Sequence, residues 1–276
     1  MQQKAGPVLV VLLIITSFMV GSMWTKIQYL ETSNKTLGGQ TQQANPTPSG
    51  GNQAQQQAQA PTVSLEKIKA LFTKDHITFG DANKKILFVE ISDPSCPFCH
   101  FAGGKNPELS KQSGQFQYTS DGGTYNPPVT EMRKLVESGK ASFVWLYSMG
   151  HGAGVTATQA LYCSHEKGKF WAANDLLMSN AGYDLMNNKL EKDTNGRATD
   201  NDKNRGLIVD FLSNVVDPTF LGSCLKSGKY AGTLDQDQQT ALSLGFRGTP
   251  DFFVNEKNFS GAVDYKKMES TVKALL

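Results

Sequence analysis

Cysteine is scarce in this sequence. Four in 276 residues are too few for a small scaffold held by disulfides, but the number is even, so placement decides whether they are structural, metal-binding or catalytic. Net charge is scarce too. With 27 Lys and Arg against 25 Asp and Glu the formal charge is +2, no basic field of the kind that gathers phosphate backbones, and nucleic-acid binding is not expected. The pair Cys96 and Cys99 has no second C-x-x-C and no spaced His pair to accompany it, and Cys163 and Cys224 stand singly. The ligand pattern of a zinc site is therefore missing, and no metal is expected.

Charge is absent altogether from Ala5 to Thr25, and Val8 to Val20 is apolar apart from Thr16 and Ser17. As a helix rising about 1.5 Å per residue this stretch reaches about 31 Å, matching a hydrocarbon core about 30 Å thick. Lys4 precedes it, and Trp24 and Tyr29 stand at its far edge, an arrangement that places the N-terminus in the cytoplasm and the remainder outside. Residues 1–30 are expected to form a transmembrane anchor or signal segment, with residues 5–25 in the lipid bilayer. A cleaved signal is the alternative, since Val20 and Ser22 fit the small positions before a cleavage site. Residues 31–62 are mostly Gln, Asn, Thr, Ser, Gly, Ala and Pro with Leu37 as the one sizeable apolar side chain, too little to offset the entropy of ordering. They are expected to be a disordered tether reaching roughly 30 Å.

Residues 63–276 carry the globular pattern. Ile86 to Ile91 is a short apolar run broken by Asp93-Pro94, which predicts a central strand. Pro97 suits the first position of a helix directly after it. A helix over 129–138 and a buried strand over 140–148 follow, and strand, helix, strand implies parallel pairing. Helices are expected at 154–166, 169–179, 207–214 and 229–244. A hairpin of 251–255 and 259–262, turning near Glu256-Lys257, and a helix from Tyr265 to Leu276 complete the domain. The fold class is α/β with a helical insertion at about 151–243.

The chemistry concentrates at Cys96-Pro-Phe-Cys99-His100. Two Cys one helical turn apart lie about 5 to 6 Å from each other, a span that a disulfide accepts. At the helix start, Cys96 faces free backbone N–H groups, which favour the thiolate and lower its pKa from about 8.5 toward the range of roughly 3.5 to 7.5. Such a thiolate also leaves readily, so the oxidised pair can pass its disulfide to a substrate dithiol, with Cys99 resolving the mixed disulfide. On spacing alone, half a zinc site and an inert structural disulfide stay open.

Three pieces together resemble the DsbA-like branch of the thioredoxin superfamily, which includes membrane-anchored bacterial members: the strand ending in Glu90-x5-Cys96-Pro-Phe-Cys99, Gly168-Lys-Phe-Trp171 after Cys163, and Leu244-Gly-Phe-Arg-Gly-Thr249-Pro250-Asp-Phe-Phe-Val-Asn255. The resemblance implies a thioredoxin-like fold and an extracytoplasmic thiol:disulfide oxidoreductase, with Cys96 as nucleophile, Cys99 as resolving Cys, Glu90 as buried acid beneath them and Pro250 in cis after Thr249. Thr249, Pro250, Pro97, Phe98 and His100 are the expected substrate-facing residues. No cofactor beyond the Cys96–Cys99 disulfide is implied. The implied partners are reduced or misoxidised exported proteins and a membrane redox partner that reoxidises or reduces the enzyme.

Oxidase is the leading activity, and isomerase or reductase is the alternative within the class. A non-catalytic tethered peptide-binding chaperone module is the alternative outside it. A solvent-facing Glu90 is the other reading of that strand position. Cys163 and Cys224 are expected to form a structural disulfide, with two free buried thiols as the alternative. Phe170 and Trp171 are expected in the core of the helical part. The chain departs from strongly oxidising members in having Pro-Phe rather than Pro-His between the Cys. The Gly- and Asn-rich stretch 104–128 is an addition that either borders the substrate groove or covers the sheet edge. Asp193, Asp200 and Asp202 fail the spacing of an EF-hand and read as a solvated loop.

Overall fold

Strands β2 (Ile86–Ser92) and β3 (Ala141–Tyr147) are buried along their whole length. They pair in parallel, Phe88 opposite Phe143 and Glu90 opposite Trp145. A strand covered on both faces needs no alternation of polar and apolar residues, which is why both read as nearly continuous apolar runs. The computed structural model describes residues 63–276. The expected anchor (5–25) and tether (31–62) lie outside the described residues. Among the described residues no helix is long and apolar enough to cross a membrane.

The sheet has the order β1-β3-β2-β4-β5, with β1 (Ile77–Phe79), β4 (Asp251–Val254) and β5 (Lys257–Ser260) all joined antiparallel. Leu87, Val89, Ile91, Val144, Leu146 and Phe253 form one face and pack with Ile68, Leu71, Ala241 and Leu244. Helices α1 (Leu65–Lys69) and α10 (Ala231–Ser243) therefore cover that side. The opposite face presents Phe88, Phe143, Trp145 and Phe252 to a larger core. That core is filled from α2 (Pro97–Gly103), α4 (Pro128–Glu137) and α11 (Lys266–Lys273). The stretch 104–128 folds as α3 (Pro107–Gln112) and two short 3-10 turns.

Between β3 and β4 the chain is helical: α5 (Val155–Glu166), α6 (Phe170–Leu177), α7 (Asn180–Asp184), α8 (Asp202–Leu212) and α9 (Pro218–Ser227) precede α10. Phe170 is buried in the larger core and Trp171 packs against it. The last helix of this run belongs to the sheet layer, since Ala241 of α10 packs on the face of Val144. The fully buried Asp237 of α10 accepts from Tyr147 N at 2.9 Å and from Tyr162 Oη at 2.5 Å, and lies 2.7 Å from His76 Nδ1. One carboxylate thus ties α10 to α5, to β3 and to the segment before β1.

The differences from the sequence pattern have local causes. Helix α8 starts at Asp202 rather than 207 because Asn201 caps it, accepting from Asn204 N; its first turn is polar and shows no apolar period. Helix α9, which carries Cys224, falls outside the four helical ranges read from the periodicity, although Asp217-Pro218 supplies an N-cap and a Pro at the first helical position. The hairpin turns at Asn255, in the left-handed region at φ 51, so β5 begins at Lys257 instead of 259. Asn tolerates that conformation, and here its side chain also accepts from Leu87 N and donates to Lys85 O.

A disulfide joins Cys163 of α5 to Cys224 of α9 across 61 residues of sequence. Closing so long a loop removes entropy from the unfolded chain worth about 4 kcal/mol. The double variant Cys163→Ala/Cys224→Ala is expected to lose about that much unfolding free energy in a urea titration. An unchanged midpoint would show that the bond adds nothing to stability.

Candidate active site

The segment Asp93-Pro94-Ser95 leaves the end of β2 and enters α2 at Cys96, the N-cap, with Pro97 next. Asp93 is fully buried and organises this turn. Its Oδ1 accepts from Ser95 N and Ser95 Oγ, both at 2.8 Å. Its Oδ2 accepts from Gly150 N at 2.7 Å and His151 N at 2.9 Å. The loops that follow the parallel strands β2 and β3 are thereby clamped together. Gly150 sits at the junction, where a Cβ would come within 2.2 Å of Thr249 Oγ1 and 3.3 Å of Cys96 Cβ. Only glycine permits three loops to approach so closely.

Cys96 and Cys99 are free thiols, 2% and 0% exposed, and pack with Met178. Cys96 Sγ lies 3.5 Å from the carbonyl oxygen of Thr249, whose peptide bond to Pro250 is cis. The two sulfurs are pushed in opposite directions. A hydrogen bond from the Cys99 thiol is the largest influence on Cys96; the Thr249 side chain and the N–H groups of Cys99 and Phe98 add to it, and against the opposing effect of burial they lower its pKa from 9.0 to about 6. Burial, first, and then the neighbouring Cys96 raise Cys99 well above 9.0. The site therefore holds one thiolate and one thiol at neutral pH.

Glu90 is 2% exposed, on the face of β2 that it shares with Phe88 and Ser92. A solvent-facing Glu90 is thus excluded. Burial raises its carboxyl from 4.5 to about 7, opposed by a hydrogen bond from Ser92. The nearby Ser92 hydroxyl lowers both this carboxyl and the Cys99 thiol, against their burial, while Asp93 N donates to Cys99 Sγ at 3.5 Å.

Phe98 is 47% exposed and Thr249 and Pro97 are half-buried, all beside the cysteines. Pro250 is buried. His100 departs from the expected substrate-facing set, because its ring is fully buried. Each ring nitrogen lies 2.8 Å from a carbonyl oxygen, Nδ1 from Met178 and Nε2 from Pro94. Burial pulls the imidazole down to about 4, so the neutral ring, with its single N–H, donates to one of these two carbonyls and packs between the turn before Cys96 and the end of α6. The cause is helical geometry: one residue past Cys99, the side chain points toward the protein rather than the groove.

Ser92, Asp93, Ser95, Gly150 and Met178 were not foreseen as site residues. Asp93-Pro94-Ser95 carried a signal, since Asp and Ser beside Pro mark a side-chain-capped turn. Gly150 and Met178 carried none, because their role arises from contacts across more than 50 residues of sequence.

Glu90 generates a pH-dependent test. Its folded pKa of about 7 lies above the ordinary 4.5, so the folded state keeps a proton that the unfolded chain releases. Stability should fall as pH rises through that window and level off above it. The Glu90→Gln variant should lose this slope and gain roughly 3 kcal/mol above about pH 7, at about 1.4 kcal/mol per pKa unit. Urea midpoints across pH that run parallel for the two proteins would contradict a buried, protonatable Glu90.

A family model described as Thioredoxin matches residues 129–274, more than half of the chain. The matched span begins after Cys96 and Cys99. Among curated proteins none matches. Solved structures are similar in fold. Alpha-DsbA1 from Wolbachia pipientis aligns with a TM-score of 0.51 and 17% identity over 72% of this chain and 90% of that one. A variant of the same Wolbachia protein aligns with a TM-score of 0.54 and 16% identity over 77% and 96%. BdbD from Bacillus subtilis, in its oxidised form, reaches 0.49 with 18% identity over 73% and 93%. The matched span makes this chain a member of the thioredoxin family, with a fold similar to that of alpha-DsbA1.

Proposed function

We propose that this chain is a thiol:disulfide oxidoreductase that donates disulfides to exported proteins outside the cytoplasm. The opposed protonation of two adjacent sulfurs carries the reading: Cys96 is held as thiolate and Cys99 as thiol. In the oxidised enzyme a substrate thiolate attacks Cys96 Sγ, the Cys96–Cys99 bond breaks, and the sulfur of Cys99 leaves with the electron pair. Cys99 then takes a proton, for which the buried, protonatable Glu90 is the source, Ser92 being a neighbour of both groups. A second substrate thiolate attacks the substrate sulfur of the mixed disulfide and expels Cys96. The substrate loses two electrons and forms its disulfide, and the enzyme ends as a dithiol. A stabilised Cys96 thiolate leaves fast and favours the reduced enzyme, which is the property of a donor.

A membrane redox partner would restore the Cys96–Cys99 disulfide, and the uncharged stretch 5–25 would hold the domain at the bilayer. The Cys163–Cys224 bond supports an oxidising compartment, where such disulfides persist.

Two measurements test the reading. Ultraviolet titration of the reduced protein should show a thiolate forming near pH 6 that is absent from Cys96→Ser. Equilibration with glutathione should place the couple above about −230 mV, and Cys96→Ser should not oxidise a reduced test protein. A potential near about −270 mV would make the enzyme a reductase instead. Full oxidation by Cys96→Ser would remove the mechanism altogether.

A further inference from the structure

Beside the active site runs a groove of about 690 Å³ that begins at Phe98 and Thr249, the residues on either side of Cys96, and extends to Lys267. One wall is aromatic. Phe98, the exposed one, meets Phe116 edge-on at 5.8 Å. Phe116 stacks on Phe101 at 4.6 Å and meets Tyr125 edge-on at 5.3 Å. Phe116 and Tyr125 both come from the 104–128 stretch, which is fastened from behind: Ser110 Oγ donates to Phe116 O at 2.8 Å and Tyr118 Oη to His100 O at 3.0 Å. The addition thus borders the groove, and its apolar surface is held in place before anything binds, which lowers the entropy cost of binding.

The rim across from this wall is basic. Arg247 and Lys267 both line the groove and are exposed, and neither takes part in an ion pair among the described residues. Asp264 also lines it, but its carboxylate accepts from Asn126 N, Asn126 Nδ2 and Lys266 N. Two cations are therefore free to meet a ligand; Asp264 keeps its formal charge but turns its lone pairs to neutral N–H groups, so the lining carries one net positive charge. The exposed Phe98 ring contributes contact area at small loss of rotamer freedom, and unpaired cations steer an acidic partner and fix its register.

We propose that this groove selects extended peptides in which the reactive cysteine is flanked by an aromatic residue, with acidic side chains a few positions beyond. The inference rests on the oxidoreductase reading and specifies its substrate class. The aromatic neighbour packs against Phe98 and Phe116 while the substrate sulfur reaches Cys96, and the acidic groups reach Arg247 and Lys267.

The test uses the full chain in its oxidised form and four short dithiol peptides, with Phe or Ser next to the cysteine and Glu or Lys on both outer flanks. The Phe/Glu peptide should be oxidised about tenfold faster than Phe/Lys, and the advantage should shrink with added salt. Phe/Glu should also outpace Ser/Glu. In the double variant Arg247→Glu/Lys267→Glu, altered only at exposed positions, the order of the Glu and Lys peptides should invert. Equal rates for all four peptides, or a charge preference that survives the reversal, would overturn the selectivity and leave the oxidoreductase reading standing. Failure to oxidise any peptide would overturn both. Binding of anionic lipid vesicles that is lost in the double variant, without peptide preference, would mark the rim as a membrane contact and also refute the proposal.

Discussion

The buried carboxylate of Asp93 accepts hydrogen bonds from Ser95, Gly150 and His151 and so joins the turn after β2 to the loop after β3. Ala153 N to Ser95 Oγ and Ser148 N to Ser92 O add to that junction and hold the same two loops at the end of the parallel strands. Gly150, drawn in by its own N–H, leaves just enough space for Thr249 to reach Cys96. The nucleophile, the loop that would receive substrate and the helix start thus meet because four donors are satisfied by one buried acid. Buried hydrogen-bonded networks of this sort rigidify a site when every member is paired.

Desolvation then sorts the protonation states. It raises Glu90 and Cys99 and lowers His100, leaving Cys99 and His100 neutral at neutral pH and Glu90 poised to give or take a proton there. Cys96 escapes because hydrogen bonds outweigh its burial, and the largest of them comes from Cys99 itself. The asymmetry is self-reinforcing: the thiol that burial protects is the donor that stabilises its neighbour as an anion. The absence of a His between the two Cys is made good by hydrogen bonds rather than by a second charge. His100, one position further on, is a buried neutral ring packed between Pro94 and Met178, donating to one of their carbonyls, and not a cation.

The 104–128 stretch shows how an addition outside the basic fold changes the surface that a substrate would meet. It turns one wall of the groove aromatic through Phe116 and Tyr125 and is anchored to the active-site helix through Tyr118. The opposite wall comes from the segments on either side of the β4–β5 hairpin, with Arg247 before it and Lys267 after it.

Much of the domain was legible along the chain. The apolar runs of β2 and β3, Pro97 after Cys96, and the periodicity of α5, α6 and α10 are local features, and each reports its own burial or capping directly. The Cys pair and its place at a helix start were equally local, as was the apolar, uncharged character of residues 5–25. What only the tertiary structure decided depends on distant segments arriving together. The meeting of Gly150 and Thr249 at Cys96, the nearness of Ser92 to both Glu90 and Cys99, the packing of Met178 with the two Cys and the burial of His100 all arise that way. A residue type and its spacing determine which hydrogen bonds a side chain can make; whether water or protein answers them is settled only when the chain has closed around it.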